Sequence, residues 1–163
     1  MEQNRKMDMI IREATEQDLQ AVLSLYGQLG MDDGDVLTAD EAAIILRRMK
    51  SYPDYTLYVA VSDKDIIGVF SLLIMDNLAH KGAPSGIIED VVVREDLRRM
   101  GIGRRMINFA MYLCKKKGCY KLALSSHIGR ESAHRFYEGL AFKKHGYSFV
   151  ADLAAGEGEH ISL

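Results

Sequence analysis

The sequence predicts an α/β fold, a mixed sheet with helices on both faces. Three observations predict it. Two amphipathic helical patterns, 15–29 and 38–50, precede a long run of strand patterns between residues 55 and 93. A strand, a glycine turn and a helix then follow one another over 87–117. Strand and helix alternate once more to the end, for an order of β-α-α-β-β-β-α-β-α-β.

Met9 to Glu13 reads as a short strand. Thr15 then caps a helix through about Leu29, with Thr15 and Asp18 at capping-box spacing. Leu19, Val22, Leu23, Tyr26 and Leu29 form its apolar stripe. "GMDDGD" is a loop. Thr38 or Asp40 opens a second helix through Lys50, with Ala43, Ile44 and Leu46 apolar. "TLYVAVSDKDIIGVFSLLIMD" (56–76) reads as strand, turn, strand, with "SDKD" as the hairpin turn. "NLAHKGAPSG" (77–86) is a loop. "IIEDVVV" (87–93) is a buried strand, broken only by Glu89 and Asp90. The next helix runs to Lys117 with Ile102, Met106, Ala110 and Leu113 on one face, and Gly118 ends it. "CYKLALSS" is a strand, "RESAHRFYEGL" a short helix and "YSFVADL" a last strand, before a tail, "AAGEGEH", that frays.

The 163 residues suit one compact domain, and 48% apolar with 27% charged residues supply a core. A net charge of −2 argues against a general nucleic-acid binder. Cys114 and Cys119 read as reduced and structural, in a cytoplasmic protein. The N-terminus has no signal-peptide run, and no stretch approaches the roughly 20 apolar residues of a membrane span. His127, His134 and His145 lack metal-ligand spacing, and "DDGD" is not a calcium loop, so no metal site is expected.

"EDLRRMGIGRRM" (95–106) places Gly101 and Gly103 among four arginines between a strand and a helix. The first N–H groups of a helix lack internal partners and, with the helix dipole, attract anions. Glycine lets a phosphate approach the backbone. The nucleotide P-loop pattern fails on spacing, and the dinucleotide fingerprint fails at Met106. The pattern R/Q-x-x-G-x-G/A is met by Arg98, Gly101 and Gly103. A second patch, "SAHRFYEGLAF" (132–142), fits A-x-x-F-Y-x-x-x-G-F at Ala133, Phe136, Tyr137 and Phe142.

Together the two patches resemble the GNAT N-acetyltransferase superfamily, over roughly Ile10 to Asp152. "IEDVVV" and "GCYKL" further resemble glucosamine-6-phosphate N-acetyltransferases; "AHRFYE" and "KKHGYSF" resemble aminoalkylphosphonate N-acetyltransferases. The resemblance implies an acyl-coenzyme A N-acyltransferase fold in one domain, 1–163, with a mostly antiparallel central sheet. It implies acetyl-coenzyme A as cofactor, a small primary amine as acceptor, no membrane or nucleic-acid partner, and a homodimer. Position by position, Arg98, Arg99, Met100, Gly101, Ile102, Gly103 and Arg104 would wrap the pyrophosphate. Val91 and Val93 would pair with the pantetheine arm, and Tyr137 would stand beside the departing sulfur. Two positions depart from the family pattern. Arg130 stands where an asparagine often holds the pantetheine, and Ala141 replaces the usual glycine. Arg99 stands where glycine is common and could reach the 3′-phosphate.

Transfer of acetyl from a thioester to an amine needs a neutral amine, a donor for the oxyanion and an acid for the thiolate. Glu89, on an otherwise apolar strand, is the candidate base through a water, its pKa raised by partial burial; a carboxylate that orients substrate or pairs with an arginine is the alternative. Asp90 should point to the opposite face and be structural. A backbone N–H near Val92 or Val93, freed at a bulge, is the candidate oxyanion donor. On spacing alone Tyr137 is a core aromatic beside Phe136; the resemblance makes it the candidate acid. Asp32, Asp33 and Asp35 could hold a cationic amine, and His80 with Lys81 a phosphate or carboxylate. Protein or peptide acetylation, or a non-catalytic acyl-coenzyme A sensor, are the other functions compatible with these residues.

Overall fold

The structure, a computed structural model, describes residues 8–30 and 35–151. Asp32, Asp33 and the tail 154–160 lie outside the described residues. The chain forms two compact units, Met1–Leu124 and Ser125–Leu163.

The first unit runs β1 (Ile10–Glu13), a 3-10 turn (Glu16–Asp18), α1 (Leu19–Gly27), α2 (Ala39–Met49), β2 (Tyr55–Ser62), β3 (Asp65–Met75), β4 (Ser85–Val93), α3 (Ile102–Lys116) and β5 (Lys121–Ala123). The sheet order is β1-β2-β3-β4-β5. The first four strands pair antiparallel, and β5 joins β4 in parallel. That is the mixed, mostly antiparallel sheet expected. The β2–β3 turn, Asp63 and Lys64, has both residues at positive φ, the geometry that matches the twist of a two-residue hairpin.

Strand alternation gives the sheet two apolar faces. Leu57, Val59, Val69 and Val92 pack with Leu19, Val22 and Leu23 of α1 and Ala42 and Leu46 of α2. On the other face, α3 buries Ile102, Met106, Ile107, Ala110 and Cys114. Tyr58 stacks on Phe70 there and meets Phe109 of α3 edge-on. Gly68 lets Met106 of α3 approach the sheet: a Cβ on it would lie 2.7 Å from the Met106 sulfur.

The caps follow local chemistry. The Thr15 N–H donates to the Asp18 carboxylate at 2.7 Å, and Arg12 grips the same carboxylate with two bonds of 2.7 and 2.8 Å. This ties β1 to the start of α1. Thr38 opens α2 with a reciprocal box: its N–H donates to Glu41 at 2.9 Å, and the Glu41 N–H donates to its hydroxyl.

Several expectations are corrected. The helix expected over 15–29 opens with a 3-10 turn and ends at Gly27. Ile44, expected on the apolar side of α2, is exposed. The strand expected over 119–126 is only Lys121–Ala123, which pairs with Ser85–Ile87 of β4 and then leaves its edge. In the second unit the sole helix among the described residues is α4 (Glu131–Glu138). Of the last strand expected over 147–153, the described part is irregular. Tyr147, Phe149 and Val150 are 91%, 91% and 90% exposed. Apolar alternation makes a strand only where a neighbouring strand takes its backbone bonds, and the described residues supply none.

Candidate active site

The glycine loop begins where β4 ends. The Arg94 N–H donates to the Ile67 carbonyl at 2.9 Å, and a 3-10 turn, Glu95–Leu97, follows. The Gln28 side chain accepts from the Glu95 N–H at 3.0 Å, fixing the turn to the end of α1. The chain then reverses through two left-handed residues, Arg99 (φ 66) and Gly101 (φ 83). A left-handed N-cap suits glycine alone at low cost. It also has no side chain to cap α3, whose first turn carries no acid. The first closing bond runs from the Arg105 N–H to the Gly101 carbonyl at 3.1 Å. The N–H groups of Ile102, Gly103 and Arg104 therefore precede the helix ladder. α2 spends its N–H groups on Thr38; α3 leaves its own open. Arg99 and Arg104 are exposed and form no ion pair among the described residues. Arg98 reaches Glu95 at 3.5 Å, and Arg105 donates to the Met9 carbonyl.

β4 is irregular just before this loop. Val92 pairs with Val69 but Glu89 with Ser71, so two β4 residues, Asp90 and Val91, stand opposite one, Phe70. This is a β-bulge, directly before Val92. Asp90 absorbs it with φ 51. Aspartate tolerates that left-handed conformation better than most residues. Beyond Ile87, β4 pairs with no strand among the described residues on its β5 side. Val91 and Val93 therefore border an open backbone edge that leads straight into the loop.

The bulge also breaks alternation, so the spacing argument that turns Asp90 to the other face does not hold across it. Asp90 is exposed. It lies close enough to Tyr26 of α1 to act on that phenol, whose pKa burial raises first and Asp90 and Tyr55 raise further. Glu89 is exposed too, so the partial burial expected of it is absent. His80 and Lys81 stand beyond the opposite end of β4 from the bulge, where His80 stacks on Tyr120.

Tyr137 belongs to the second unit and lies half-buried on α4, between Phe136 at 5.1 Å and Phe142 at 5.8 Å. Burial pushes its phenol up, opposed by the charge of Arg130, the residue before the helix. The helix closes with the Phe142 N–H donating to the Tyr137 carbonyl and the Ala141 N–H to that of Glu138, both at 3.1 Å. That is a Schellman end, with Ala141 left-handed at φ 67. The spacing of the second motif thereby gains a cause. The position where glycine is usual is the left-handed residue, and the Tyr and final Phe are the two side chains such an end brings together.

The acetyltransferase (GNAT) family pattern matches residues 28–142. The chain belongs to this family. It is 32% identical over 148 residues to the glucosamine 6-phosphate N-acetyltransferase of Trypanosoma brucei brucei, covering 90% of this chain and 97% of that one. It is 27% identical to the aminoalkylphosphonate N-acetyltransferase of Salmonella typhimurium, covering 88% of this chain and 90% of that one. Among solved structures, an acetyltransferase of Trypanosoma brucei superposes with TM-score 0.74 at 31% identity, covering 90% and 100% of the two chains. The glucosamine-6-phosphate N-acetyltransferase of Arabidopsis thaliana gives TM-score 0.79 at 25% identity, covering 90% and 99%. GNAT membership makes the chain an N-acetyltransferase and accounts for both motifs.

The first unit thus brings Glu89, Val91, Val93 and Arg98 to Arg104 onto one strand and the loop after it. Tyr137 and Arg130 lie together in the second unit. The sequence reading missed Tyr26 as a neighbour of the bulge, and Gln28 as the anchor of the loop. Tyr26 read as one more member of an apolar stripe, and nothing in the spacing of Gln28 distinguishes it from a solvated glutamine.

Proposed function

We propose that this GNAT enzyme transfers acetyl from acetyl-coenzyme A directly to the primary amine of a small molecule, both bound at once. The uncapped start of α3 carries this reading: open N–H groups behind a left-handed glycine, flanked by Arg99 and Arg104, exposed and without an ion pair among the described residues. Such a donor set fits a pyrophosphate. Arg98 to Arg104 would hold it, Arg99 adding charge toward the 3′-phosphate. The open edge at Val91 and Val93 would hold the amide-bearing arm, and its place in the family pattern assigns Arg130 to the cofactor as well. Acetyl-coenzyme A supplies the thioester carbonyl. The bulge supports a role for a backbone N–H near Val92 as oxyanion donor.

A lysine-like amine loses its proton at pH 7 at a cost of about 4–5 kcal/mol. Glu89, exposed beside the bulge, is assigned to draw that proton through a water. Tyr137 is assigned to protonate the leaving thiolate; its raised pKa keeps the phenol protonated as a donor. The identities with glucosamine-6-phosphate and aminoalkylphosphonate enzymes support a small phosphorylated or phosphonylated amine as acceptor. The family resemblance supports a single working domain and a cytoplasmic homodimer, and the exposed Tyr147, Phe149 and Val150 offer apolar surface for a second copy. No helix among the described residues is long and apolar enough to cross a membrane.

Thiol release from acetyl-coenzyme A across amino sugars and their phosphates, aminoalkylphosphonates, polyamines, amino acids and lysine peptides tests this. A blank corrects for Cys114 and Cys119. Turnover of one small amine is expected. Turnover of peptides alone, or cofactor binding with no turnover, overturns the reading.

A further inference from the structure

The end of α3 carries two free cysteines that acetyl transfer does not use. Gly118 is left-handed at φ 74. The Cys119 N–H donates to the Cys114 carbonyl at 2.9 Å, and the Gly118 N–H to that of Lys115 at 3.1 Å. This is a second Schellman end, and it brings the side chains of its first and last residues together, usually as an apolar contact. In α4 those residues are Tyr137 and Phe142; in α3 they are Cys114 and Cys119. The Cys119 side chain also lies within hydrogen-bonding reach of the Cys114 thiol, the proximity a disulfide needs.

We propose that Cys114 and Cys119 are a redox modification site that closes to an intramolecular disulfide by exchange with a low-molecular-weight disulfide. The two sulfurs differ in access. Cys119 is half-buried and meets the reagent first. Cys114 is 3% exposed, and its sulfur lies 2.5 Å from where a Cβ on Gly86 of β4 would sit. Burial, and then Cys119, push its thiol up to about 12, so it is inert towards outside reagents. Cys119, as thiolate, attacks the small disulfide and releases one small thiol. Cys114 then attacks the Cys119 sulfur and releases the second, its proton passing to the departing thiolate. Two protein thiols are oxidised and one small disulfide is reduced to two thiols. The new bond fastens the end of α3 to the residue two places before β5, beside the Gly86–Leu122 pairing.

The test equilibrates the full chain in buffers of reduced and oxidised glutathione, quenches with acid, and alkylates after unfolding. Intact mass and peptide mapping should find a chain two hydrogens lighter that takes up no alkylating agent and joins Cys114 to Cys119. The equilibrium constant should be about tenfold or more larger in the folded protein than in the same chain in urea. A constant no larger than in urea overturns the proposal, as does a lasting glutathione adduct on Cys119 beside a free Cys114, or a bond between two chains. Cys119→Ser should leave Cys114 unmodified in the folded protein; glutathione on Cys114 in that variant overturns the assigned order of attack. None of these readouts passes through acetyl transfer.

Discussion

Replacing Arg99 by glycine should move stability and cofactor affinity in opposite directions. Arg99 is left-handed at φ 66 in the loop before α3. That conformation costs a side-chain-bearing residue about 1–2 kcal/mol. Glycine removes the strain but frees the unfolded chain by about 0.4–1 kcal/mol. The net gain is about 0.5–1 kcal/mol, or a rise in Tm of roughly 2–3 °C for a chain of this size. The same change removes one of two exposed guanidinium groups beside the open N–H groups of α3. A single exposed charge on a phosphate is worth about 1.5- to fivefold in Kd at low salt, and less as salt screens it. Arg99→Lys separates the two effects, because it keeps both charge and strain. Urea unfolding and calorimetric titration with coenzyme A at two salt concentrations read both quantities. An Arg99→Gly protein that is less stable refutes the strain argument. One that binds coenzyme A as tightly as the parent at low salt refutes the assignment of Arg99 to the phosphates.

Ala141→Gly relieves the same kind of strain at φ 67 and should raise stability by about 0.5–1 kcal/mol in urea unfolding, with no change in coenzyme A affinity. Tyr137→Phe keeps both ring contacts and should lower kcat at least tenfold while leaving coenzyme A affinity intact; kcat within twofold of the parent removes Tyr137 as the acid. Asp18→Asn tests a pH dependence. The Arg12 hydrogen bonds, with help from Thr15, hold the Asp18 carboxyl at about 2. A carboxyl lowered from its ordinary 3.9 contributes about 2 kcal/mol above that value, and the contribution is lost as pH falls from about 4 through about 2. The variant should be about 2 kcal/mol less stable at pH 7, and the gap should shrink below pH 4; a gap constant down to pH 3 sinks the linkage.

Most of the fold was legible because its signals are local. Thr15 with Asp18, and Thr38 or Asp40, announced two helix starts, "SDKD" announced a hairpin, and Gly118 announced the end of α3. The glycine loop was legible because Gly101 occupies a conformation that excludes most other residues. What stayed hidden depends on neighbours. No pattern within 87–93 reveals that β4 has one residue more than β3 across from it, so simple alternation cannot be carried through Asp90. Tyr147 to Val150 carries the apolar pattern of a strand, but pattern alone cannot report whether a partner strand is present. Ala141 hid a left-handed residue behind a side chain that rarely adopts one.

These features of the first unit share one physical consequence, and it concerns the backbone rather than the side chains. An open strand edge ordinarily invites aggregation, and folds cover it or break it with charge. Here β5 leaves β4 after Ile87, the bulge at Asp90 and Val91 disrupts the ladder on the other side, and α3 starts without a cap. Each of these alone would be a local loss of hydrogen bonds. In sequence they leave a broken line of backbone groups without partners among the described residues, the β5 side of β4 from Ile88 to Val93 and then the N–H groups of Ile102 to Arg104, with Arg99 and Arg104 at its end. A ligand that is peptide-like along one half and anionic at the other would satisfy that line, and coenzyme A, with amides in its arm and a pyrophosphate at its end, is such a ligand. On this reading the hydrogen bonds missing from the fold are the ones reserved for the cofactor. Single side-chain replacements along β4 should therefore weaken binding less than any change that alters the backbone conformation at Asp90 or Gly101.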